Sequence, residues 1–120
     1  MRPVMNTIRV LLADDHQLMR AGVRALLDDM DGVEVVAEAG DGIEALRLIV
    51  EHAPTIALLD IAMPGMNGLE VLRAARMHQP STRVVLLSMY DSADYVAGAI
   101  QAGAAGYLIK DSAVSELAQA

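Results

Sequence analysis

The 120-residue chain has no cysteine, no tryptophan and no phenylalanine, and lysine occurs once, at Lys110. Without thiols, disulfides, thiolate metal sites, CxxC redox chemistry and a cysteine nucleophile are excluded together, and a cytoplasmic setting is the natural expectation. Three tyrosines are the whole aromatic complement, so platforms for stacking bases, flavins or sugars are scarce. Positive charge is short as well. Nine basic residues stand against sixteen acidic ones, giving a net charge of −7 and a pI near 4.7. A domain that reads nucleic acid by itself would normally show a basic face, so direct DNA contact by this chain is not expected. Long apolar runs are missing too: the first, at 8–13, is interrupted by Arg9 and stops at two aspartates, far short of a membrane span.

What the chain does have is 54% hydrophobic content, mostly aliphatic, in a length that suits one domain with its own core. Residues 1–6 read as a flexible leader and 7–120 as the domain. Short apolar runs alternate with amphipathic stretches, the pattern of βα units feeding a parallel sheet. Strands are expected at 8–13, 33–37, 56–59, 84–87 and 106–109, each nearly continuous in apolar residues as befits burial on both faces. Apolar stripes mark the helices between them: Leu18, Gly22, Ala25 and Leu26; then Ile43, Leu46, Ile49 and Val50; then Leu69, Leu72 and Ala75; then Val96 and Ile100. Asp41 with Glu44 and Asn67 with Glu70 have the spacing of helix-starting caps. Val114, Leu117 and Ala118 share one side of 112–120, but nine residues give only about 13 Å of helix, so a fifth helix is expected to be truncated. The economical architecture is α/β, a doubly wound (βα)5 five-stranded parallel sheet with helices on both faces.

Ligands of such sheets bind beyond the carboxyl ends of the strands. Strand one ends in Asp14 and Asp15, strand three in Asp60, strand four in Ser88 and strand five in Lys110. Each alone has a bland reading: the first two as helix caps, Asp60 as a turn residue, Ser88 as a strand terminator, Lys110 as a snorkelling chain. Together they are harder to dismiss. Three carboxylates about 5 Å apart repel by about 3 kcal/mol per pair at an effective dielectric near 20, which implies a cation. Hard oxygen donors with no cysteine favour Mg²⁺, with Mn²⁺ able to substitute, held by Asp14, Asp15, Asp60 and a backbone carbonyl such as that of Ala62. Metal and Lys110 would neutralise a phosphoryl group while the Ser88 hydroxyl donates to it, leaving Asp60 as the nucleophile, already ionised at pH 7. His16, His52 and His78 have no metal-ligand spacing with one another, and surface or helix-end roles are expected for them.

The stretches LLADDH at 11–16, LLDIAMPGMNGLEVL at 58–72, VVLLSMYD at 84–91 and GAAGYLIKDS at 103–112 carry a resemblance to the receiver domain of two-component response regulators, of the NarL/FixJ type. The resemblance implies the strand order 2-1-3-4-5 of the flavodoxin-like receiver fold. It implies Asp60 as phosphoacceptor for a sensor histidine kinase, Asp14 and Asp15 as the metal-binding acidic pair, and Ser88, Lys110 and Tyr107 as switch hydroxyl, phosphate-pairing lysine and switch aromatic. Phosphorylation would then alter the surface of helix four and strand five, in the service of transcription regulation. A helix-turn-helix output domain follows the receiver in that subgroup and none is read here, so a piece of a longer regulator is expected, and a less covered sheet flank would favour a homodimer. Asp111 stands where many receivers place a cis proline, and Ala62 and Tyr90 flank the site. Tyr90 is expected to shield the acyl phosphate from water.

Other functions fit less well. A phosphohydrolase of the haloacid-dehalogenase type would want DxD, whereas this acceptor reads Asp60, Ile61, Ala62, with no cap insertion. A flavodoxin-like FMN carrier would want a hydroxyl-rich loop after strand one, where His16, Gln17 and Leu18 stand. A receiver-like adaptor could dispense with the acidic pair or the lysine, yet both are present. The expectation is a phosphorylation switch, not a turnover enzyme.

Overall fold

The computed structural model of the chain describes residues 7–88 and 93–109; the leader, Tyr90, Lys110 and the fifth helix expected within 112–120 lie outside the described residues. The described elements alternate as β1 Ile8–Ala13, α1 Gln17–Asp28, β2 Val33–Ala39, α2 Gly42–His52, β3 Ile56–Asp60, α3 Gly68–His78, β4 Arg83–Ser88, α4 Ala93–Gln101 and β5 Gly106–Ile109. Every strand pairing is parallel, and the sheet order is β2-β1-β3-β4-β5. No helix among the described residues is long and apolar enough to cross a membrane.

Strand alternation sends side chains to two faces. Leu11, Ala13, Leu59 and Leu86 point into a core shared with α2, α3 and α4, while Val10, Leu12, Leu58 and Leu87 meet Val23 and Leu27 of α1. The near-continuous apolar runs of the sequence are what such two-sided burial demands. β2 runs two residues past the expected end at 37. Its register against β1 shifts between Val10 and Leu11, so Val36 is passed over and Glu38 and Ala39 pair with Leu12 and Ala13.

The helix stripes need correction. In α1 the buried residues are Val23 and Leu27, while Leu18 is 87% exposed and Gly22 and Ala25 also face solvent. In α2 the core takes Ala45, Leu48 and Ile49 and leaves Ile43 and Val50 outside; in α4 it takes Ala99 and leaves Ile100 outside. Of the α3 stripe, Leu72 and Ala75 are buried and Leu69 packs half-buried against the same core, while Val71, outside the stripe, is buried too. Both expected caps form. The Asp41 side chain accepts from the Glu44 amide, and at α3 the capping box is reciprocal, with Asn67 accepting from the Glu70 amide and Glu70 from the Asn67 amide. α2 stops at Ala53, held in the left-handed region at φ 45° just before Pro54, which cannot continue a helix.

Candidate functional site

At the carboxyl edge of the sheet β1 and β3 lie side by side, and their last residues bring the acidic groups together. Asp14 is 0% and Asp60 2% exposed, and Ser88, at the end of neighbouring β4, is 2% exposed. Ligand atoms of Asp14, Asp15, His16 and Asp60 all fall within 4.8 Å of one another. The Asp15 carboxylate is one-third exposed and forms the solvent side of the cluster. At such spacing each carboxylate pair repels by about 3 kcal/mol at an effective dielectric near 20, so the cluster suits a cation.

The cap reading of the acidic pair does not hold. The N-cap of α1 is His16, with no side-chain cap, and Asp14 Oδ1 instead accepts the His16 amide at 2.8 Å in a tight turn. That turn carries the imidazole back over the carboxylates, with Nδ1 3.1 Å from Asp14 Oδ1, 3.3 Å from Asp15 Oδ1 and 3.7 Å from Asp60 Oδ2. Sequence reasoning gave His16 no part in the cluster. The available signal was its adjacency to two carboxylates in a turn that opens a helix.

Asp60 is fixed from both sides. Its Oδ1 accepts the Ala62 amide at 3.2 Å, and beyond it Ile61 prolongs the sheet by donating its amide to the Leu87 carbonyl at 3.0 Å. Ile61 and Met63 are buried, and Met66 packs half-buried against the same core, so the loop after Asp60 is anchored by packing. Arg20 is a second residue missed in the sequence. One Nη1 donates to the carbonyls of Asp14 at 2.7 Å and Ala39 at 3.0 Å, while Nε pairs with Glu38 at 3.2 Å. Those bonds tie the carboxyl ends of β1 and β2 together beneath the acidic pair. Tyr107 lies on β5 opposite Leu86, half-buried against the larger core, and Ser88 pairs with Ile109 in the same ladder.

Three hard carboxylates form a donor set that fits a hard divalent ion of the magnesium class. Comparison with known proteins gives the same direction. A family model described as response regulator receiver domain matches residues 10–120. The transcriptional regulatory protein NarL of Mycobacterium tuberculosis is 47% identical over 118 residues, which cover 98% of this chain and 55% of that protein. The response regulator GacA of Pseudomonas viridiflava is 40% identical over 113 residues, covering 94% of this chain and 53% of its own length. Among solved structures, the signal receiver domain of the Mycobacterium tuberculosis NarL superposes with a TM-score of 0.90 at 46% identity, over 96% of this chain and 93% of that one. The chain spans about half the length of these curated relatives.

Proposed function

This chain belongs to the response regulator receiver domain family, in its NarL type, and on that premise we propose that it is a phosphorylation switch whose acceptor is Asp60. One observation carries the proposal. A buried carboxylate at the end of β3 shares a 4.8 Å cluster with the carboxylates that end β1, the only crowding of its kind among the described residues.

In the proposed reaction an Asp60 carboxylate oxygen attacks the phosphorus of a phosphohistidine on a sensor histidine kinase. The new O–P bond replaces the N–P bond, and the departing imidazole takes a proton from water. No general base is needed, because the carboxylate is ionised at neutral pH. Asp14, Asp15, Asp60 and the Ala62 carbonyl would hold Mg²⁺, or Mn²⁺ in its place; the bound ion neutralises the pocket and the phosphoryl oxygens. The Ala62 amide orients the nucleophile, the Ser88 hydroxyl donates to a phosphoryl oxygen, and the Lys110 ammonium pairs with another. Phosphorylation adds roughly −1.5 to −2 charge at one strand end. Drawing Ser88 toward it would open room for Tyr107 beside Leu86, so that the α4–β5 surface changes. In this reading Tyr90 restricts the approach of water to the acyl phosphate.

The acceptor would release its phosphoryl group once per cycle, as a regulator and not as a turnover enzyme. The proposed setting is cytoplasmic, and the proposed target is a helix-turn-helix output domain, since a net charge of −7 disfavours DNA contact by the receiver itself. A second copy is a further proposed partner, through the apolar sheet side where Val85 and Leu108 are half-buried. Light scattering across a concentration series tests it, and a monomer at every concentration removes it.

Incubation with acetyl phosphate and Mg²⁺ followed by intact mass measurement tests the acceptor. A single phosphoryl adduct is expected on the wild type and none on Asp60→Ala. An adduct retained by Asp60→Ala would overturn the assignment, and sustained phosphate release from unrelated phosphomonoesters would restore the hydrolase reading.

A further inference from the structure

We propose that His16 is a fourth side-chain ligand of the acidic site, through Nδ1, and that it makes the site select manganese and later first-row divalent ions over magnesium. The proposal rests on the reading of the Asp14, Asp15 and Asp60 cluster as a divalent-cation site. The imidazole does not hang beside that cluster: Nδ1 faces one oxygen of each carboxylate, at 3.1, 3.3 and 3.7 Å. A single N–H can point along one of those directions and serves the other two poorly. An ion amid the four atoms would satisfy all of them.

The spacings agree with that use. Neighbouring ligands of an octahedral ion with bonds of ~2.1 Å stand ~3 Å apart and opposite ones ~4.2 Å. The four donor atoms here span no more than 4.8 Å, and the two shortest nitrogen-to-oxygen distances are those of neighbouring ligands. The backbone sets the ring in place, because the His16 amide is anchored on Asp14 Oδ1 at 2.8 Å at the first residue before α1. The ring is 60% exposed and stands with Asp15 on the solvent side of the cluster.

The chemical consequence follows from donor type. Carboxylates and carbonyls are hard and serve magnesium and manganese alike, whereas magnesium keeps oxygen ligands and gains little from imidazole. Manganese and the ions after it bind a nitrogen donor with rising affinity along the first row. His16 thus adds to their binding what the three aspartates cannot.

Position 16 is exposed and lies outside both cores, so substitutions there are compatible with the fold. Manganese binding is followed by the electron paramagnetic resonance signal of the free ion and magnesium binding by competition, for wild type, His16→Ala and Asp14→Ala. His16→Ala is expected to weaken manganese by at least about tenfold, the loss that disturbing even an indirect partner of a ligand brings, with magnesium unchanged. Electron spin echo modulation from imidazole nitrogen is expected on manganese bound to the wild type and absent from His16→Ala. The proposal is overturned if both ions weaken together, if neither changes, or if the nitrogen modulation survives in His16→Ala. In those cases magnesium and manganese still bind the wild type and are lost in Asp14→Ala, so the cation site stands. Failure of the wild type to bind either ion would overturn the cation site and the role of His16 with it.

Discussion

Close approach, more than backbone freedom, explains two residues beside Asp60. Gly42 and Gly68 open α2 and α3, and their amides donate to the carbonyls of Pro64 and Ile61, in the loop that follows Asp60. A Cβ on Gly68 would stand 2.6 Å from the Asp60 carbonyl oxygen and 2.9 Å from Ile61 Cα, atoms of the backbone that carries the Asp60 carboxylate. Gly68→Ala is expected to cost about 1–3 kcal/mol in urea unfolding and to slow adduct formation from acetyl phosphate, since either α3 or Asp60 must shift. Gly22→Ala is the contrast. It sits in α1 with nothing within 4 Å of the added Cβ, so it is expected to stabilise by about 1 kcal/mol. Similar effects from the two would contradict the close-approach account. At this scale the sequence exposes Asp14, Asp15, Asp60 and Ser88, because strand ends in a parallel sheet converge on one edge whatever the details. His16, Arg20 and Gly68 escape it, because their parts depend on where a turn or a guanidinium points, and residue type alone does not fix that.

Among the elements, the caps are the most legible and the helix faces the least. A cap depends on two side chains three residues apart, whereas a buried face depends on which of two adjacent stripes meets the sheet. In α1 the stripe through Leu18, Gly22, Ala25 and Leu26 competes with the one through Met19, Val23 and Leu27, about 100° apart, and the sheet takes the bulkier side. Weighing side-chain volume, with Ala and Gly counted as neutral, would have favoured the second. The capping box predicts that Asn67→Ala lowers stability by about 1 kcal/mol, read as a shift in the urea midpoint at unchanged slope. α2 supports a prediction about pH. The Arg47 guanidinium donates to both carboxylate oxygens of Glu44 and holds its pKa below the ordinary 4.5. A carboxylate with a lowered folded value contributes stability that is present above its unfolded value and is lost as pH falls through the folded one. A carbon-detected titration of Glu44 is expected to show its midpoint below 4.5, returning toward that value in Arg47→Gln. Since both side chains are exposed, the effect on global stability is expected to be small and to shrink further with added salt. An unmoved midpoint in the variant would remove the ion pair as its cause.

At the scale of the molecule, the alternation of strand residues divides one sheet between two cores on its opposite faces. Sixteen buried residues gather on the side of α2, α3 and α4, against six on the side of α1, counted among the described residues. The sequence makes the sheet and its two-sided burial legible, because five apolar runs separated by helix-length stretches leave few other topologies. Leu58 and Leu59 offer a test within a single strand. They are neighbours of identical chemistry, 5% and 0% exposed, facing opposite cores. The side of Leu58 borders an open cavity of about 340 Å³ lined by Val10, Leu27, Met30, Ile56, Val85 and Leu108, where neighbours have room to relax. Leu59 is packed among residues from three helices, where a hole cannot collapse. Leu59→Ala is therefore expected to cost about 4–5 kcal/mol and Leu58→Ala about 2–3 kcal/mol, because the residual cavity sets the penalty beyond the transfer of the lost methyl groups. Equal losses in urea unfolding, or a larger loss at Leu58, would mean that the α1 side is as tightly packed as its opposite.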